Sequence, residues 1–139
     1  MNAKQLFACI GMTVACGLLS AHSAESKDPA QLPPATTKEG VTYATDIQPI
    51  FEKSCVRCHG PEKAKARLRL DSLAGVVKGG EDGKVIKAGN SAESMLVRSI
   101  AHLGPKDGHM PPPNNKANIP ALTKEQVGLI RAWIDQGAK

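Results

Sequence analysis

Apolar positions in this 139-residue chain fall into short helical patterns divided by polar stretches rich in proline and glycine. The first pattern places Ile47, Ile50, Phe51 and Ser54 on one face. Thr45 followed by Gln48 reads as a capping box at its start, and Pro49 falls in the first turn, where a missing N–H is tolerated. This helix runs straight into Cys55. Asp71 reads as the cap of a short helix that stops at Gly79-Gly80, and 81–83 reads as a turn. Asn90 with Glu93 marks another start, ahead of Met95, Leu96, Val97 and Ile100. A loop rich in Pro, Gly and Asn follows over 102–120. The last pattern is the clearest: Thr123 and Gln126 form a capping box, Val127, Ile130, Trp133 and Ile134 make one stripe, and Gly137 ends it. The expected architecture is all-α, with three or four helices, long loops and no internal repeat.

Ahead of this domain the pattern changes. Lys4 precedes an apolar run over 6–19, and Ala21-His22-Ser23 supplies the small residues of a cleavage site, so 1–24 reads as a secretory signal. The run falls short of the about 20 apolar residues that span a bilayer. A lipid anchor on Cys16, after Thr13-Val14-Ala15, is the lesser alternative, because Thr13 departs from the usual leucine. Residues 25–40, with Pro29, Pro33 and Pro34, read as a disordered linker, which leaves 41–139 as the folded domain. Export puts the mature chain in the periplasm or another extracytoplasmic space. It also removes Cys9 and Cys16, leaving Cys55 and Cys58 as the mature cysteines.

Composition narrows the picture. The aromatic residues are Phe7, Tyr43, Phe51 and Trp133, so a domain of this size has a thin core that a buried macrocycle would reinforce. The formal charge of +5 fits docking to an acidic partner or an ordinary solvated surface. Nothing resembles the basic stripe with aromatic or groove-reading features of a nucleic-acid binder.

The chemistry sits in Cys55-Val56-Arg57-Cys58-His59, the attachment pattern of covalent haem c. Two cysteines three apart at a helix end present both sulfurs to the two vinyl groups of one porphyrin, and the next residue can turn its imidazole to the iron. A structural zinc site would need a second ligand pair, and a thioredoxin-like redox pair would need a βαβ pattern; the mature chain offers neither. For the sixth iron ligand, Met110 stands beside the run Pro111-Pro112-Pro113, whose fixed φ angles can hold a side chain without a helix. His109 and an open coordination position are the alternatives. Met95 reads as core filler, and His102 as a surface or backbone-bonded residue. Lys63, Lys65 and Arg67 are candidates to ring an exposed haem edge, and Trp133 with the first and last apolar stripes would shield the ring.

Several segments together resemble the planctomycete-type cytochrome c domain, a relative of class I cytochromes c. They are Asp46-Ile47-Gln48-Pro49-Ile50-Phe51, the Cys55 to His59 motif with Gly60, Leu68-Arg69-Leu70-Asp71-Ser72, Gly89-Asn90-Ser91 with Ser94 and Leu96, Met110-Pro111-Pro112, Leu122-Thr123, and Ile130-Arg131-Ala132-Trp133-Ile134. The resemblance covers about 41–138. It implies thioethers at Cys55 and Cys58, His59 as proximal ligand and Met110 as distal ligand to a single haem. In that family the domain often heads a much larger protein; here it follows a leader and a linker, which leaves the partner open. The expected activity is one-electron transfer between a redox donor and a redox acceptor by a monomer that is not itself an enzyme. A docking subunit of a membrane-associated redox complex, and a peroxidase- or sensor-like protein with open iron, are the competing readings.

Overall fold

The computed structural model describes residues 31–139; the segment expected as a secretory signal, 1–24, and the start of the expected linker lie outside the described residues. Among the described residues the fold is helical with no strand. Four α-helices follow in order: α1 (Gln48–Ser54), α2 (Leu73–Lys78), α3 (Met95–Ile100) and α4 (Lys124–Asp135).

Local chemistry explains most boundaries. The α4 start is the expected capping box: Thr123 Oγ1 accepts the Gln126 amide at 3.3 Å, and Gln126 Oε1 accepts the Thr123 amide at 2.9 Å. The α1 start differs from expectation. A single π-helical turn, Tyr43–Ile47, precedes α1, and Thr42 rather than Thr45 caps it. Asp46 Oδ2 accepts the Thr42 amide at 3.0 Å, and Gln48 turns outward to Glu52. The α2 cap is Ser72, whose Oγ accepts the Gly75 amide at 3.2 Å. Asp71, expected in that role, instead takes Arg69 in a two-pronged ion pair. Asn90 caps only a turn, its Oδ1 accepting the Glu93 amide at 3.1 Å, and α3 begins later, at Met95.

The three aromatic rings of the described chain meet in one core. Tyr43 lies edge-on to Phe51 at 6.2 Å and tilted against Trp133 at 5.9 Å. Ile47, Val97, Ile130 and Ile134 close around them, fully or almost fully buried. The two polar ring atoms are satisfied on the backbone: Tyr43 Oη donates to the Leu70 carbonyl at 3.0 Å, and Trp133 Nε1 donates to the Lys139 carbonyl at 2.9 Å. Asp135 ties the loop before α3 to α4 by accepting both the amide and the hydroxyl of the buried Ser91, at 2.7 and 2.9 Å.

Residues 31–40 depart from the expected linker. They form a strap along α4. Leu32 is buried, the Thr36 amide donates to the Gly128 carbonyl at 3.1 Å, and Arg131 donates to the Pro33 carbonyl. Gln136 bridges the Val41 amide at 3.1 Å and the Lys38 carbonyl at 2.8 Å. The packed chain therefore begins before Val41. The contact depends on Gly128 in mid-helix, where a Cβ would stand 2.5 Å from the Pro34 carbonyl oxygen.

Candidate functional site

Cys55 is the C-cap of α1, with its amide bonded to the Phe51 carbonyl at 2.7 Å. A tight turn follows, in which the Cys58 and His59 amides both donate to the Cys55 carbonyl, at 3.0 and 2.9 Å. This turn brings Cys55, Cys58 and His59 to one wall of a cavity of about 280 Å³. Gly60 is what lets the turn close, since a Cβ there would meet the Val56 carbonyl oxygen at 2.4 Å.

The other walls are mostly apolar: Leu68 and Leu70 from the segment before α2, Val85, and Leu96 and Ile100 from α3. Facing them is the segment carrying Met110, Pro111 and Pro112. The Met110 amide donates to the Ser99 carbonyl at the end of α3, at 3.0 Å, so the methionine is pinned to a helix although it lies in a loop. The four residues expected as a haem site thus line one cavity, although Met110 lies more than fifty positions from Cys55 in the chain.

The electrostatics suit a neutral, coordinating site. His59 Nδ1 lies 3.2 Å from the Lys65 carbonyl oxygen, which fixes the proton on that nitrogen and leaves the Nε2 lone pair free. Burial pushes the His59 imidazole below its ordinary pKa, against the pull of the backbone carbonyls around it. Burial, with the neighbouring Cys58 adding to it, pushes the Cys55 thiol up to about 12. Both cysteines are half-buried and free of any disulfide.

Other expected residues fall elsewhere. His109 does not line the cavity. Its ring stacks on His102 with centroids 4.7 Å apart, and its Nε2 lies 3.1 Å from the Gly104 carbonyl oxygen. His102 is half-buried beneath it, with Nε2 buried and unpartnered. Met95, expected in the core, opens α3 at the cavity rim and is 47% exposed. Trp133, the α4 stripe and Ile47, Ile50 and Phe51 of the α1 stripe pack in the aromatic core, and of the two stripes Ser54 alone lines the cavity, next to Cys55. Lys63, Lys65 and Arg67 are exposed and outside the lining, whereas the charged side chains that do line it are Glu81 and Asp82.

The contributors to the site that sequence reasoning missed have physical reasons for being invisible. The Lys65 and Ser99 carbonyls act through backbone atoms that every residue type carries. Asn115 and Ile119 complete the wall beside Met110, and the only sequence signal for them was an asparagine within a proline-rich loop.

The chemistry of this donor set fits haem c. Two thiols, a neutral imidazole with a free Nε2 and a thioether converge on a largely apolar cavity with an open rim. A small helical domain built around that constellation is similar to the c-type cytochrome class. Residues 55–114 match the family described as Planctomycete cytochrome C. Over that stretch the chain is similar to a planctomycete-type cytochrome c domain. No curated protein and no solved structure matches it.

Proposed function

We propose that this protein is a monohaem c-type cytochrome that passes single electrons between extracytoplasmic redox partners. The observation that carries the reading is the convergence of Cys55, Cys58, His59 and Met110 on one apolar cavity. Bound there, haem c supplies an iron that alternates between its ferric and ferrous states.

The chain's own residues define how that iron is held. Cys55 and Cys58 would hold the macrocycle as thioethers, so that it stays in place when the metal changes charge. His59 would coordinate through Nε2, its tautomer and orientation held by the Lys65 carbonyl. Met110 would offer a neutral sulfur, which favours a higher potential than a second imidazole. Leu68, Leu70, Val85, Leu96 and Ile100 exclude water and disfavour the more highly charged oxidised form. With His59 and Met110 both supplied by the protein, the iron's coordination would change little between oxidation states, as a carrier requires.

The stacking of His109 on His102, away from the cavity, supports Met110 over His109 as sixth ligand. A methionine on the cavity wall also favours a carrier over an open-site peroxidase or sensor. The export signal over 1–24 supports an extracytoplasmic location, and no helix among the described residues is long and apolar enough to cross a membrane. A redox protein donor and acceptor are the partners, with the leading segment as a possible tether to a membrane-associated complex.

The test is an absorption spectrum of the purified protein in both oxidation states. A low-spin spectrum with a sulfur-to-ferric-iron charge-transfer band, and slow binding of cyanide and carbon monoxide, is the expected result. A five-coordinate spectrum with rapid ligand binding contradicts the carrier reading.

A further inference from the structure

The loop carrying Met110 has no regular secondary structure over 109–123 and no disulfide, yet it must hold a side chain in one place. One residue supplies most of its internal bonding. Asn115 Nδ2 donates to the Pro112 carbonyl at 2.9 Å and to the Ile119 carbonyl at 2.8 Å. Its Oδ1 accepts the Ile119 amide at 2.9 Å, and its own amide donates to the Pro112 carbonyl at 3.1 Å. The side chain thus mimics a strand partner for Ile119 while gripping Pro112, and all three residues line the cavity beside Met110. Proline supplies no amide to the loop at 111–113, and the Asn115 side chain carries the bonds that join Pro112 to Ile119.

We infer that Asn115 is a positioning residue for the sixth ligand: its amide clasps the outgoing limb at Pro112 to the returning limb at Ile119 and so limits how often Met110 leaves the iron. This rests on the proposed function and deepens it. Met110 is then held from two directions, by the Ser99 carbonyl at its own amide and by the clasp, which acts through the exposed Pro112 and the buried Pro111. The Ser99 tie is to a helix and stays fixed; the clasp is the part that can open.

The test compares the haem-loaded wild type with Asn115→Ala, the nearly isosteric Asn115→Asp, and Asn114→Ala as a control on an exposed neighbour. Asp keeps the shape but replaces two donated hydrogen bonds with repulsion between a carboxylate and two carbonyl oxygens. The readouts are the rate of cyanide binding to the ferric protein and the temperature at which the sulfur-to-iron band disappears, each set against global melting by far-ultraviolet circular dichroism. Expected are cyanide binding faster by about tenfold in Asn115→Ala, the factor for one or two lost hydrogen bonds, at least as large an increase in Asn115→Asp, and band loss well below global melting. The control should match wild type.

If Asn115→Asp behaves as wild type while Asn115→Ala does not, the residue fills space rather than clasping, and the inference is overturned. Unchanged cyanide rates in both variants overturn it as well. A wild type without the sulfur-to-iron band overturns the Met110 assignment itself and the clasp with it, a result distinct from either variant outcome. Should the variants fail to fold, hydrogen exchange on the loaded wild type decides: the Ile119 amide should be protected, and exchange at the rate of an open loop contradicts the clasp.

Discussion

His59 divides its two nitrogens between two tasks, and the division follows from a backbone carbonyl. Lys65 turns back so that its oxygen receives Nδ1, and Ala66 and Arg67 then adopt positive φ angles of 52° and 54° to redirect the chain. Left-handed backbone at non-glycine residues is disfavoured, so a site-forming turn carries strain that the rest of the fold sustains. The Cys55 to His59 motif and Met110 were readable as residue types. The direction each side chain takes was not, because it depends on carbonyls at Lys65 and Ser99 that any residue would supply. Met110→Ala should abolish the sulfur-to-ferric-iron band and lower the reduction potential; persistence of both would place the sixth ligand elsewhere. Met95→Leu should change stability by less than about 1.5 kcal/mol in thermal or urea unfolding, since the swap nearly conserves volume and the residue is half exposed at the rim. A larger loss would mean that Met95 packs under the bound macrocycle.

At the level of elements, the last helix was legible from its caps and its stripe because those signals are local. Thr123→Ala should cost about 1 kcal/mol of unfolding free energy, measured by urea titration. The strap over 31–40 was not legible, since a polar, proline-bearing stretch carries the composition of a linker whether or not it docks. Gly128 was the one available hint: glycine inside a helix is disfavoured by about 1 kcal/mol relative to alanine, so its presence marks a close approach. Gly128→Ala should therefore expel the strap despite the better helix propensity. Protease cleavage within 31–40 should accelerate, and unchanged resistance would show that the strap bears no weight.

The same strap carries a pH signature. Lys38, with the Thr42 amide and the Thr45 hydroxyl, holds the Asp46 carboxyl at about 2, below its ordinary 3.8. A folded pKa lower than the unfolded one contributes stability that is complete above pH about 4 and is lost as pH falls toward 2. Asp46→Asn should thus be less stable than wild type near pH about 6, with the gap closing near pH about 2. A gap that stays constant across that range would rule out the ion pair as its source.

Among the described residues one apolar core runs from the aromatic rings to the cavity wall. Tyr43, Phe51 and Trp133 fill its centre, and Leu70, Val85, Leu96 and Ile100 extend it to the cavity that carries Cys55, His59 and Met110. Phe51→Ala should cost about 3–5 kcal/mol, a large share of the total stability of a domain this size, and calorimetry of the loaded protein should record it as a marked drop in melting temperature. The all-helical class followed from the spacing of apolar residues. That the last stripe and most of the first would pack on the aromatic rings rather than line the cavity did not, because helical periodicity shows which face is buried without showing against what.

Intact mass spectrometry of the protein produced in a host that attaches haem c, recorded after denaturation and acid extraction, bears most directly on the site. The expected mass is that of the mature polypeptide plus one haem, with the addition lost when Cys55 and Cys58 are both replaced by alanine. A wild-type protein at the bare polypeptide mass would contradict covalent attachment and the carrier built upon it.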